Sequence, residues 1–418
     1  MNILFTTLNR LSENTTAGGE LYLLDLMKGL TKSGVLPYLV SPDSENSNSL
    51  YVRRYDADGS YRAYEFHENN REVNFSKIIE RFEIDIVHFQ HFQTLPLSFM
   101  KTTKDMNKKL VITIHDYFLW CENFFLLSPL KGNAPSFCFF EENETFCAEC
   151  LKKSGGLWEL IYRRQWSGDR FNEEYIRQRR RQASEILGAA DLIIAPTEYV
   201  RYSFLGVYPN INPERFIALE HGNFPVVDTV PKRFRAHSEK LKVAFLGGFK
   251  YEKGNTYFIE LLRTLKDTKI EFYIIGSLDC PINKGDFKNL KITGQYRREE
   301  LSGILNREGI EMIILLSPWA ETFSYTLSEA IINGIPVIAT DIGAFRERVS
   351  RHGVGFLVPY ENPVPMTARL LKNIAERPEI SGFFRKNCID AAGSLKDVDA
   401  MVSEYMGLYK KISSGDTR

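Results

Sequence analysis

The sequence has no excess of either charge: 53 Lys and Arg stand against 53 Asp and Glu in 418 residues. A chain without net basicity offers no electrostatic case for nucleic acid as a partner. No stretch approaches the ~20 apolar residues that a membrane helix requires. The opening residues, Met1 to Leu8, lack the basic lead of a secretory signal peptide, and their apolar run stops at Asn9-Arg10. The expectation is a cytoplasmic protein whose contact with a membrane, if any, is peripheral at its inner face. The dinucleotide fingerprint G-x-G-x-x-G is missing as well. Cysteines are few, six in all, and disulfides are not expected in that compartment.

What is present is length, and two copies of one architecture. The chain is too long for one ordinary domain. Short buried runs alternate with helical stretches: Ile3–Thr6, Pro37–Ser41, Ile84–His88, Leu110–His115 and Asp191–Pro196 in the first half, then a fresh start at Leu241. This alternation predicts doubly wound α/β domains. The expected division is 1–224 and 238–395, with the proline-bearing Pro225–Ser238 as linker and a final helix, 398–418, returning to the first domain.

The most informative stretch runs from Ser317 to Glu347. Met312–Leu316 reads as a buried strand ending at Ser317-Pro318, and a helix follows from about Ser324 to the stop at Gly334. Pro336–Ala339 is the next strand. The backbone N–H groups of Thr322, Phe323, Ser324 and Thr326 open that helix, and such a start binds an anion, typically a phosphate. Glu321 before it and Glu329 on its second turn suit the neutral hydroxyl groups of a sugar and a ribose. On their own, two such glutamates would more often be a helix cap and a solvated side chain. The flanking strand ends favour the site.

Two further stretches repeat the layout. Gly18-Gly19 opens a helix after the first strand, either as a donor of backbone N–H groups or as a plain tight turn. After Leu241, the run K-V-A-F-L-G-G-F-K-Y-E-K-G-N places Gly248, Lys250 and Lys253 where a diphosphate would be held. Gly276 ends a later strand, and Gln295-Tyr296 forms the loop expected to pack a nucleobase. His88, His91 and His115 lie at the carboxyl ends of strands, where open parallel sheets bind ligands, although a hydrogen-bonded core histidine is the plainer alternative.

Between about 117 and 160 lies an irregular, aromatic insertion with Cys121, Cys138, Cys147 and Cys150. The spacing C-x16-C-x8-C-x2-C suits a closed structural zinc site that would staple a loop lacking a core, and four unligated thiols are the alternative. The basic run from Tyr162 to Arg181 reads as a solvated helix face, or as a contact for anionic headgroups or a pyrophosphate-linked acceptor, with Trp158 and Trp166 adding apolar surface.

The quoted motifs resemble the retaining glycosyltransferases of family 4. Glu321 and Glu329 match their E-x7-E mark, followed by G-x-P-V-I-A and D-I-G-A, and T-x-H-D matches at His115. The resemblance implies the GT-B fold, two Rossmann-like domains facing across a cleft. It implies transfer with retention from a nucleotide-diphospho-sugar to a hydroxyl of a glycan or lipid-linked acceptor, with no metal required for catalysis. His115 would then stand beside the transferring sugar, with Glu321 orienting its hydroxyls. One position departs from the pattern: Gly248 stands where the family carries an arginine. Lys250 or an arginine of the first domain is the expected source of that charge. The same fold also hosts nucleotide-sugar 2-epimerases and non-catalytic binding subunits, and these remain the alternatives.

Overall fold

The computed structural model describes residues 1–7, 18–43, 48–56, 58–131, 136–155, 168, 170–223 and 239–414. The loop Asn9–Thr16, the tryptophans Trp158 and Trp166, the first part of the basic run and the whole Pro225–Ser238 linker lie outside these residues.

The first half builds an eight-stranded sheet from β1 (Asn2–Thr6), β2 (Leu36–Pro42), β3 (Leu50–Tyr55), β4 (Tyr61–Phe66), β5 (Ile86–Phe89), β6 (Lys109–Thr113), β9 (Leu192–Ala195) and β10 (Phe216–Ala218). A small hairpin, β7 (Leu127–Ser128) with β8 (Ser136–Phe137), lies in the insertion. The order across the large sheet is β10-β9-β6-β5-β1-β2-β3-β4. Its parallel strands are buried and continuous in apolar residues, as strands covered on both faces must be. The edge pair β3 and β4 is antiparallel and escapes the sequence reading. Alternating burial in L-Y-V-R-R-Y and the turn around Asp56 to Ser60 were its available signals.

The second half forms a six-stranded, wholly parallel sheet from β11 (Leu241–Leu246), β12 (Ile270–Ile275), β13 (Leu290–Gly294), β14 (Met312–Leu315), β15 (Val337–Thr340) and β16 (Gly355–Val358). Its order is β13-β12-β11-β14-β15-β16. The direction of winding reverses between β11 and β14, and a crevice opens where the loops after these two strands part. The first sheet reverses likewise between β1 and β5.

The last helix, Val398–Ser414, packs on the first sheet's helix Gly18–Lys32. Met401, Val402, Tyr405 and Tyr409 share one core with Ile3, Phe5, Tyr22 and Leu26. The two helices approach so closely that a Cβ on Gly29 would lie 2.3 Å from Val402. Among the described residues no helix is long and apolar enough to cross a membrane.

Candidate active site

The two switch points face each other. Thr322 Oγ1 donates to the His115 carbonyl at 2.8 Å, Tyr117 to the Ala320 carbonyl at 3.0 Å, and Thr197 to the Thr322 carbonyl at 3.1 Å. The N-termini of two helices, Gly18–Lys32 and Tyr325–Ile332, meet here. A Cβ on Gly18 would sit 3.0 Å from the Tyr325 ring, and one on Gly19 would fill the gap beside His91 Nε2 and His115 Nδ1. Gly-Gly is needed because the backbone itself forms the wall.

On the second-domain side, Glu321 is nearly fully buried. Its Oε1 lies 3.0 Å from Lys253 Nζ and accepts from the Ser317 hydroxyl. After it, Ser324 holds φ at +68°, a strained left-handed position for a side-chain-bearing residue. Ser324 Oγ and Thr326 Oγ1 lie 3.0 Å apart. Tyr296 donates to Glu329 at 3.1 Å, and burial pushes the Glu329 carboxyl up to about 7 against the pull of Arg298 and Tyr296. Gln295 is exposed beside it. Gly276, at the end of β12, lies against the Gly247 carbonyl, at the mouth of the loop carrying Gly248.

The histidines divide. His88 is a core residue: Nδ1 lies 2.7 Å from the Tyr409 hydroxyl and Nε2 2.7 Å from Thr113 Oγ1. His115 faces the cleft, with Nε2 2.6 Å from Gln90 Oε1 and its ring 5.1 Å from His91 and 5.3 Å from His221. Burial and the neighbouring histidines hold its pKa well below the ordinary value, so the ring is neutral. Donation to Gln90 leaves Nδ1 as an acceptor toward Gly19. His221 packs at a tilt against Tyr22, ring centroids 4.1 Å apart, and against Phe323 at 4.7 Å, tying both helix starts together.

Lys250 lies beside Gly248: a Cβ there would stand 3.2 Å from Lys250 Cε, and the ammonium lies 3.8 Å from Asp279. Two expectations are corrected. The basic run is not simply a solvated face. Arg179 is buried and bonds the Phe118 and Leu119 carbonyls, and Arg180 bonds those of Glu141 and Glu142, so these arginines fasten the insertion. The zinc site is not formed either. Among the described residues no three His, Cys, Asp or Glu side chains converge on a metal position. Burial raises the pKa of Cys121, Cys138, Cys147 and Cys150, and Cys147 and Cys150 are instead engaged by Arg180 and Ser128. The four thiols nevertheless lie close enough to raise one another's pKa, Cys138 and Cys150 acting on both Cys121 and Cys147.

Arg348 is the residue that sequence reading missed. It is fully buried under the Glu321–Tyr325 loop, with its guanidinium over the Phe323 ring at 4.1 Å. In F-R-E-R-V-S-R it looks like one more surface charge, and nothing local distinguishes it.

Two family models match the chain. That for Glycosyltransferase Family 4 matches residues 16–222, and that for Glycosyl transferases group 1 matches residues 227–392. The chain belongs to glycosyltransferase family 4. Sucrose-phosphate synthase from Thermosynechococcus elongatus superposes on this glycosyltransferase with a TM-score of 0.65 at 14% identity, over 99% of this chain and 100% of that one. HepE from Anabaena, solved in complex with UDP, gives 0.61 at 15% identity over 98% and 100%. These likenesses show the GT-B fold. An uncharacterized 41.2 kDa protein in the cps region of Klebsiella pneumoniae is 27% identical over 175 residues, 41% of this chain. The match spans about half that relative's length, 47%.

Proposed function

We propose that this glycosyltransferase moves a sugar, with retention, from a nucleotide-diphospho-sugar to a hydroxyl of a glycan or lipid-linked acceptor, in surface polysaccharide synthesis. The observation that carries the reading is the Lys253–Glu321 pair at the foot of the Tyr325–Ile332 helix, facing neutral His115 across the cleft. An ammonium and two helix starts suit a diphosphate. Glu321 and His115 Nδ1 suit sugar hydroxyls, and Glu329 a ribose. The cps-region relative supports the polysaccharide setting, and HepE's complexes support UDP-sugars as the first donors to try.

In the step itself, the bond from the anomeric carbon to the phosphate oxygen breaks as the acceptor oxygen bonds the same face. The acceptor proton passes to the leaving phosphate oxygen. We assign the acceptor to a cleft of about 430 Å³ lined by Phe92, Phe118, Glu122, Tyr175 and Gln178, among others. It adjoins the centre through Gln93, which donates to Asp116 at 2.8 Å.

The test is incubation with UDP-, GDP-, ADP- and dTDP-sugars, with products followed by NMR. Slow release of nucleoside diphosphate and free sugar of unchanged anomeric configuration is the expected result. An epimerised donor would make the protein an epimerase, and binding without turnover a non-catalytic glycosyltransferase-like binding subunit.

A further inference from the structure

The charge inventory of the donor side leaves a question. Lys253 is paired with Glu321, Lys250 faces Asp279, and Arg298 is paired with Asp25 at 3.2 Å. Arg348 differs. Its Nη1 donates to the carbonyls of Phe323 at 2.9 Å and Ser324 at 3.1 Å, and its Nη2 to Ser328 Oγ at 2.8 Å. All three partners are neutral, and Nε is buried without a partner. The two carboxylates whose charge reaches it, Glu220 and Glu347, are themselves both paired with Arg351. Burial lowers its pKa only to about 10, so the cation persists at neutral pH. A buried cation held by neutral groups alone is costly and calls for an anion.

The peptide geometry says where that anion belongs. In a trans peptide the C=O of one residue and the N–H of the next point in opposite directions. With the Phe323 and Ser324 carbonyls turned down onto Arg348, the N–H groups of Ser324 and Tyr325 are turned away from it, and among the described residues neither has a partner in the protein. The same grip holds Ser324 at its strained φ. We propose that Arg348 is a positioning residue for donor binding. It aims two backbone donors at the donor's diphosphate, and its buried charge adds to the positive potential behind them. This rests on the nucleotide-sugar reading above and names how the diphosphate is recognised.

The test compares full-length wild type with Arg348→Gln, which keeps N–H donors for the same carbonyls and removes the charge, and with Arg348→Lys, which keeps the charge. Affinities for UDP and for uridine are measured by titration calorimetry and competition, with GDP, ADP and dTDP and their nucleosides in parallel. Arg348→Gln should lose at least ~10-fold in diphosphate affinity and less than ~3-fold in nucleoside affinity. The loss should persist at 0.5 M salt, since a buried charge is poorly screened. Arg348→Lys should recover most of the diphosphate affinity. Equal losses for diphosphate and nucleoside, or no recovery with lysine, would reduce Arg348 to a packing residue. If Arg348→Gln does not fold, the diphosphate-to-nucleoside ratio of Arg348→Lys decides: a wild-type ratio supports the charge, a collapsed one refutes it. A wild type that binds none of the four diphosphates would sink the donor reading, and this inference with it.

Discussion

Lys253 Nζ lies 3.0 Å from Glu321 Oε1, and the carboxylate of this pair is almost wholly buried while the ammonium is about one-third exposed. The asymmetry assigns different work to the two ends. Glu321 is fixed by Ser317 as well as by Lys253, which suits the proposed task of orienting a substrate. Removing it should cost at least ~2 kcal/mol in transition-state stabilisation, a ~30-fold or greater drop in kcat. Steady-state kinetics of Glu321→Ala with the preferred donor checks this, and near-normal turnover refutes the role.

Lys253 reaches from the loop after β11 toward the start of the Tyr325–Ile332 helix. Lys253→Ala should weaken nucleoside-diphosphate binding by ~10-fold or more and leave nucleoside binding within ~3-fold, because an ammonium discriminates by charge. The same two titrations read the result, and a uniform loss counts against a phosphate contact.

Glu329 gives a dependence on pH. Burial pushes its carboxyl up to about 7, and the ionised form accepts a hydrogen bond from a ribose hydroxyl more strongly than the neutral form does. Nucleotide affinity should therefore rise between pH 6 and 8, by up to ~10-fold per pH unit below 7, and level off above. The nucleotide's own titration is common to every variant. The wild type should thus show a steeper rise than Glu329→Gln, whose amide does not titrate. Parallel curves would show that Glu329 does not meet the ribose.

Tyr409 and His88 test the other histidine role. Tyr409→Phe leaves His88 Nδ1 without its buried partner, 2.7 Å away in the wild type. The expected cost is ~1–2 kcal/mol in unfolding free energy, with kcat unchanged. Denaturant titration beside a turnover assay separates the two effects. A fall in kcat without loss of stability would move His88 from the core to the chemistry.

The sequence by itself determined the architecture and pointed to most parts of the candidate site. Buried β-strands and their helices announce themselves by local apolar pattern, and Gly18-Gly19, Lys253, Glu321 and Glu329 sit at fixed offsets from strand ends, where backbone geometry leaves few options. What pattern does not encode is which partner a side chain meets at long range. His88 and His115 end similar strands, and only the return of the Val398–Ser414 helix, bringing Tyr409, makes the first a core residue. Arg179 and Arg348 look like surface charges in sequence. The fold buries both, the first against the insertion's carbonyls and the second against those of the Phe323–Ser324 turn. Four cysteines with metal-like spacing gather in the insertion, yet among the described residues no metal position forms. Spacing along the chain limits which groups can meet, but burial and the competition among all available partners decide which ones do.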